Sequence, residues 1–351
     1  MKDIDWRRYP DVKECNWARD WLLLQKNVGL ADATIDAYGR ALQDYLSFCG
    51  RECIQPLTAK RDHVATYVNY LMTVPRNSNS PDEWIEPTIG LANATIQQRL
   101  TVIRLAYDYL VEEGFRQSNP VGRGHFIAGR HINSKSDRGL VPRIHKLPWI
   151  PTETQWLAIL EAACVERIRN RMMLALAYDA GLRREELCLL HTDDFDPAHR
   201  TIRIRAETTK GKRERMVVYS NTTGVLLQAY LSHRRTLSRS RGQLFLSESP
   251  RNLGSPITKW TWSKVVRTIA LRAEVPQFST HSLRHLCLTD LARAGWDLHA
   301  IASFAGHRSI ATTLQYIHLS GRDLAAKMVN SMTEIHTWRI EMLTKLQEGD
   351  K

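Results

Sequence analysis

Helical periodicity runs through the first third of the chain and then stops at Asn119-Pro120. The following stretch, 121–147, reads VGRGHFIAGRHINSKSDRGLVPRIHKL and holds six Lys or Arg, three His and one Asp. Helical periodicity fails there, and the stretch reads as a basic linker. A chain interrupted in this way folds as two bodies. Its 351 residues agree, since single cores stop growing below about that size. The break predicts a domain over 1–120, a basic linker over 121–150, a second domain over 151–320 and a last helix within 321–351.

The first domain reads as four helices. In ATIDAYGRALQDYLSFCG, Ile35, Tyr38, Leu42, Tyr45 and Cys49 share one face, and Gly50 is expected to close the helix. RDHVATYVNYLMT places Val64, Tyr67, Val68 and Leu71 together. ATIQQRLTVIRLAYDYLVEEG does the same with Ile96, Leu100, Ile103, Tyr107 and Leu110, ending at Gly114. NWARDWLLLQK supplies the earliest helix, and the Pro-, Ser- and Asn-rich TVPRNSNSPDEWIEPTIGLAN reads as a long loop.

The second domain opens on PTETQW, where Thr152 and Gln155 have capping-box spacing. A helix through RNRMMLALAYDAG ends at Gly181, and RREELCLL follows. In TIRIRAETTKGKRERMVVYS, Ile202 and Ile204 alternate on one arm, and Met216 and Val218 on the other. This predicts a β-hairpin with Lys210 at its tip. Helices are expected over 222–235, 258–273, 281–294, 298–304 and 310–318, with Thr280 and Ser309 as caps. Trp260 and Trp262 are expected to pack. The tail helix would gather Leu324, Met328, Met332 and Ile335 on one face. The fold class is mainly α with a small β-sheet.

Several functions are disfavoured. The phosphate-binding GxxxxGK[ST] loop, GxGxxG, HExxH and CxxC are all missing. HTDDFD at 191–196 is acidic enough to suggest metal ligands, but no second carboxylate cluster partners it, and it reads as a turn. Six scattered cysteines suggest reduced thiols in a cytoplasmic protein. No apolar run suits a signal peptide or a membrane span. The balance of 49 Lys and Arg against 37 Asp and Glu, a formal +12, favours a polyanionic partner. The linker would suit a strap along a phosphate backbone.

What remains is a dispersed set of basic residues and one late tyrosine. Arg183 follows a glycine at a helix start in AGLRREEL. His281 and Arg284 lie three apart in THSLRH, on one side of a helix. His307 follows Gly306, and nine positions later comes Tyr316, the one tyrosine after Tyr230. Phosphoryl transfer without a metal needs such groups. Arginine forks meet the charge on non-bridging oxygens, and a base and an acid move protons at the attacking and leaving oxygens.

In order and separation, GLRREEL, TTKGKRERMVV, HSLRH, AGH and TTLQY resemble the boxes of the tyrosine recombinases, the phage integrase family. The resemblance covers 152–318 by motif, and about 15–120 by pattern alone. It implies a two-domain DNA clamp, with a helical core-binding domain and an α+β catalytic domain. Tyr316 would be the nucleophile, forming a 3′-phosphotyrosine and releasing a 5′-hydroxyl. Arg183 and Arg284 would clamp the phosphate and His307 would add a hydrogen bond. Lys210 would be the general acid, preferred over Lys212, and His281 the acid/base residue near the tyrosine. Glu186 and His285 would orient the arginines. Departures are mild: FAGH stands where the family often has LLGH, and Val218-Tyr219 where a proline is common.

The resemblance thus implies a site-specific recombinase of integrase, transposase or resolvase type. It would need no metal and no cofactor. Its partners would be double-stranded DNA with a specific recombination site, and a homo-tetramer on two such sites, with the tail helix exchanged between protomers. A type IB topoisomerase-like enzyme, which shares this chemistry, is the alternative.

Overall fold

A computed structural model describes residues 3–74, 90–122, 140–142, 144, 147–209, 211–314, 316, 337–339 and 342. Lys210, most of the 121–150 linker and nearly all of the tail from 321 lie outside them. The chain divides into two units, Met1–Lys146 and Leu147–Lys351, each with its own core.

The first unit holds α1 (Pro10–Glu14), α2 (Asn16–Asn27), α3 (Asp32–Arg51), α4 (Arg61–Thr73) and α5 (Asn93–Glu112). The short α1 was not expected. Pro10 sits in its first turn, where a missing N–H costs nothing, and Val12 is buried beneath it. The core is aromatic: Phe48, Tyr45, Tyr67 and Tyr107 are all buried. Their polar ends are satisfied internally. The Tyr45 and Tyr107 hydroxyls meet at 2.7 Å, and Tyr67 donates to Asp44 at 2.6 Å. Gly50 does not end α3. The helix continues through Arg51, and the left-handed exit residue is Cys53, with φ of 52°.

The second unit holds α6 (Glu153–Cys164), α7 (Ile168–Asp179), α8 (Arg184–Cys188), β1 (Phe195–Asp196), β2 (Thr201–Ile204), β3 (Arg215–Val218), α9 (Asn221–Leu237), α10 (Lys259–Arg272), α11 (Thr280–Arg293), α12 (Leu298–Ala305) and α13 (Ile310–Leu314). The described residues are mainly helical with one antiparallel sheet of order β1-β2-β3, as the fold class predicted. The Thr152–Gln155 capping box is present. At α11 the cap is Ser279 rather than Thr280, which is buried inside the first turn. Buried α7 packs on α9 and α11, with Met172, Met173 and Leu176 fully enclosed. Among the described residues no helix is long and apolar enough to cross a membrane.

The hairpin forms, but β3 turns the other face inward. Ile202 pairs with Val217 and Ile204 with Arg215, so Met216 and Val218 face solvent. Side chains alternate with period two, and a one-residue slip of face exchanges inside for outside. Here it turns Arg215 inward. The acidic string is spent locally: Asp194 accepts the His191 N–H at 2.7 Å and pairs with Arg205, and Asp196 accepts the Ala198 N–H at 3.0 Å. Trp262 is buried as expected, whereas Trp260 is 73% exposed, with the Arg184 guanidinium 5.9 Å from its ring.

Candidate active site

The site begins where α7 ends. Gly181 adopts a φ of 54°, a left-handed turn in which a side chain is strained. An added Cβ would also lie 3.3 Å from the Phe304 ring. The turn delivers Arg183 to the start of α8. Its backbone N–H donates to Glu186 Oε2 at 2.9 Å and its Nη1 to Oε1 at 2.8 Å. Its Nη2 donates to the Gly306 carbonyl at 3.1 Å.

Glu186 is 1% exposed. A buried carboxylate needs charge partners, and the second is Arg215, which no motif had marked. Arg215 grips Glu186 with both terminal nitrogens, at 3.0 and 2.8 Å, and donates Nε to the Phe304 carbonyl at 2.9 Å. Burial alone would raise the Glu186 pKa. The two guanidiniums and the Arg183 N–H overcome this and hold it at about 2. Gly306, left-handed at φ 63°, makes room: a Cβ there would sit 3.1 Å from the Arg215 side chain.

Arg284, from the middle of α11, is 5% exposed. Its Nη1 donates to the Gly181 carbonyl at 2.5 Å, and its Nη2 to the Ala305 carbonyl at 2.6 Å and to His307 Nε2 at 3.0 Å. Burial, with Arg183 nearby, lowers its pKa to about 10, so it stays cationic at neutral pH. Burial and Arg284 push His307 down to about 4, so its ring is neutral. His307 Nδ1 lies 2.8 Å from Thr313 Oγ1, and the ring stacks on Tyr316 at 5.9 Å and 9°.

Tyr316 is 4% exposed, and its hydroxyl shares a 2.9 Å hydrogen bond with His285 Nδ1. Ser309 caps the short α13 just before it, accepting the Ala311 N–H at 3.3 Å. His285 therefore faces the tyrosine, while Glu186 faces Arg183. His281 is exposed, one helical turn before His285, with ring centroids 6.5 Å apart. Six of the eight residues singled out from sequence, Arg183, Glu186, Arg284, His285, His307 and Tyr316, thus form one connected group. His281 lies at its edge, and Lys210 is outside the described residues. Beside the group, a cleft of about 160 Å³ separates the hairpin from Gly306–Arg308 and is lined by Thr209, Arg213, Arg215 and His307.

This arrangement presents three guanidiniums against one carboxylate, which suits a phosphodiester. The phage integrase family model matches residues 151–322. A curated tyrosine recombinase XerC of Pelotomaculum thermopropionicum is 30% identical over 246 residues, 67% of this chain and 74% of that protein. The chain belongs to the tyrosine recombinase family. It is a site-specific DNA recombinase. Tyrosine recombinase XerD of Oceanobacillus iheyensis is 28% identical over 300 residues, covering 83% of this chain and 89% of the relative. Among solved structures, XerH bound to a palindromic difH substrate aligns with TM-score 0.64 at 18% identity, over 90% of this chain and 88% of that one. A lambda integrase dimer bound to a COC′ core site aligns with TM-score 0.62 at 15% identity, over 88% and 96%. These two likenesses extend to the fold.

The recombinase's Glu186 carries a prediction. Its pKa falls from 4.5 to about 2 on folding. A depressed pKa contributes stability that is present above about 4.5 and lost as pH falls towards 2, on the order of 3 kcal/mol. Glu186→Gln leaves Arg183 and Arg215 without their anion and is expected to cost about 3–5 kcal/mol at pH 7. Urea denaturation between pH 2 and 7 checks both points: the variant should unfold at lower urea and lose part of the wild-type acid slope. A variant of equal stability and unchanged slope would show that the ion triad contributes nothing.

Proposed function

We propose that the recombinase cleaves and rejoins DNA through a 3′-phosphotyrosine on Tyr316, at a specific site in duplex DNA. The Tyr316 oxygen attacks the scissile phosphorus, the bond to the 5′ oxygen breaks, and a free 5′-hydroxyl leaves. The phosphotyrosine retains the energy of the phosphodiester, so a second strand's 5′-hydroxyl reverses the step without ATP. Arg183 and Arg284 bind the non-bridging oxygens, with His307 as a further donor. A neutral imidazole at Tyr316, that of His285, accepts the hydrogen bond of the phenol, and His281 next to it passes the proton to solvent. Lys210 protonates the leaving 5′ oxygen.

The observation that carries this reading is the connected group itself. The lone tyrosine of the C-terminal third packs on a histidine that already touches the buried Arg284. Binding alone would need no hydroxyl beside two imidazoles. The DNA sites named with XerH and lambda integrase support a recombination site as the partner. We assign the helical unit before residue 120 to core-site binding, and a homo-tetramer on two sites to strand exchange in the cytoplasm.

The test is a nicked suicide duplex built from the DNA that flanks the gene. A covalent adduct that survives denaturation is expected. Because guanidiniums supply the charge, excess EDTA should leave the rate of adduct formation unchanged. Loss of the adduct in EDTA would show a metal requirement and overturn this chemistry. Ready relaxation of any supercoiled plasmid by a monomer would favour the topoisomerase-like reading instead.

A further inference from the structure

We propose that Thr313 is a positioning residue that partners His307 Nδ1 in both tautomers and so lets the ring switch when phosphate binds. The proposal rests on the reading of His307 as a phosphate donor. An arginine has no lone pair to offer, so the 3.0 Å contact from Arg284 Nη2 can only be donated to a His307 Nε2 lone pair. The neutral ring then carries its hydrogen on Nδ1 and donates it to Thr313 Oγ1 at 2.8 Å. In this resting state His307 cannot donate from Nε2 to a phosphate oxygen.

When a non-bridging oxygen takes over the Arg284 Nη2 hydrogen, Nε2 is left without its donor. The ring can then gain a proton at Nε2 from water and return one from Nδ1 to water, with no change of net charge. Now Nδ1 is the acceptor. A hydroxyl serves both states without moving, because it accepts from Nδ1–H and, after rotating, donates to the Nδ1 lone pair. A carboxylate would lock one tautomer and an apolar group would support neither.

The position of Thr313 makes this more than a packing contact. Its side chain is fully buried, where a hydroxyl without a partner is costly. It belongs to α13, and its carbonyl accepts the Tyr316 backbone N–H at 2.9 Å. Seating the tyrosine and supplying the partner of His307 are therefore one event. A displaced α13 would remove both the nucleophile and the hydroxyl that partners His307 Nδ1.

The experiment uses the full chain labelled with ¹⁵N-histidine, with the His307 resonances identified by their loss in His307→Gln. Nitrogen shifts in the free wild type should show the Nδ1–H form. In Thr313→Val, Nδ1–H loses its acceptor while Arg284 still donates to Nε2, so the His307 Nδ1 resonance should shift, and single-turnover cleavage of the nicked flanking-DNA duplex should fall by roughly tenfold or more, the worth of one hydrogen bond. Thr313→Ser should restore both. Unchanged His307 shifts in Thr313→Val overturn the proposal, and so does a serine variant as slow as the valine, which would assign the effect to the γ-methyl group. Should the wild type form no adduct at all, the proposed function fails, while the tautomer measurement on free protein still decides the resting-state assignment.

Discussion

Tyr316→Phe is expected to abolish the denaturation-resistant DNA adduct and all strand exchange while leaving non-covalent DNA binding in place. The substitution removes one oxygen. The ring stays stacked on His307, and the burial that holds it among the helices is unchanged. The hydroxyl's 2.9 Å hydrogen bond to His285, half-buried on α11, disappears with it, so the stability cost should be about 1 kcal/mol. Activity, by contrast, should fall to the uncatalysed background. With Tyr316 as the proposed nucleophile, its loss would remove the covalent step itself rather than weaken it. Gel shift on the flanking-DNA duplex, followed by denaturing electrophoresis of the same samples, separates the two properties. An adduct that persists in the variant would move the nucleophile elsewhere. A variant that no longer binds DNA would mean that the hydroxyl contributes to affinity rather than to cleavage.

The helices could be read from sequence because their cores are built on regular faces. Ile96, Leu100, Ile103, Tyr107 and Leu110 recur at helical spacing, and all five are buried on α5. Where neighbouring residues offer the same chemistry, sequence could not choose between them. Ser279 and Thr280 are both good caps, and only tertiary burial of Thr280 decides. The two-residue β1 is too short to alternate. The most consequential misreading was the face of β3. Taking Met216 and Val218 as the inner pair leaves Arg215 on the solvent face, where an arginine of a basic hairpin is unremarked. In the structure Val217 and Arg215 form the inner pair, and Arg215 neutralises Glu186. The useful signal was Glu186 itself, set directly before the apolar run Leu187, Cys188, Leu189 and Leu190, since a carboxylate drawn inside beside such a run demands more than one counter-charge. The link between His285 and Tyr316 was out of reach for a different reason. It joins residues 31 apart in the chain, and the turns at Gly295 and Gly306 lie between them.

Arg284→Lys keeps a positive charge in place, and it should still slow cleavage by about a hundredfold to a thousandfold, the usual consequence of losing a positioned donor to a developing charge. The reason lies in the fork. One planar guanidinium reaches the Gly181 carbonyl, the Ala305 carbonyl and His307 Nε2 at once, from a site 5% exposed. An ammonium is a compact point charge that is strongly hydrated, and burying it costs more. Its single nitrogen cannot reproduce the separate Nη1 and Nη2 contacts to the two carbonyls and still present a donor to phosphate. Each carbonyl left without a partner costs about 1–3 kcal/mol, so the variant should also unfold at lower urea. The two effects can be told apart by measuring single-turnover cleavage at a temperature where the variant is fully folded. A folded Arg284→Lys protein that cleaves at the wild-type rate would show that charge alone suffices there. A folded variant that binds DNA but cleaves slowly would show that the geometry of the fork stabilises the transition state. On the proposed reading, Arg183, more exposed and braced by Glu186 and the Gly306 carbonyl, would meet the phosphate from another element, and two forks held by separate supports would orient the non-bridging oxygens as one flexible cation could not.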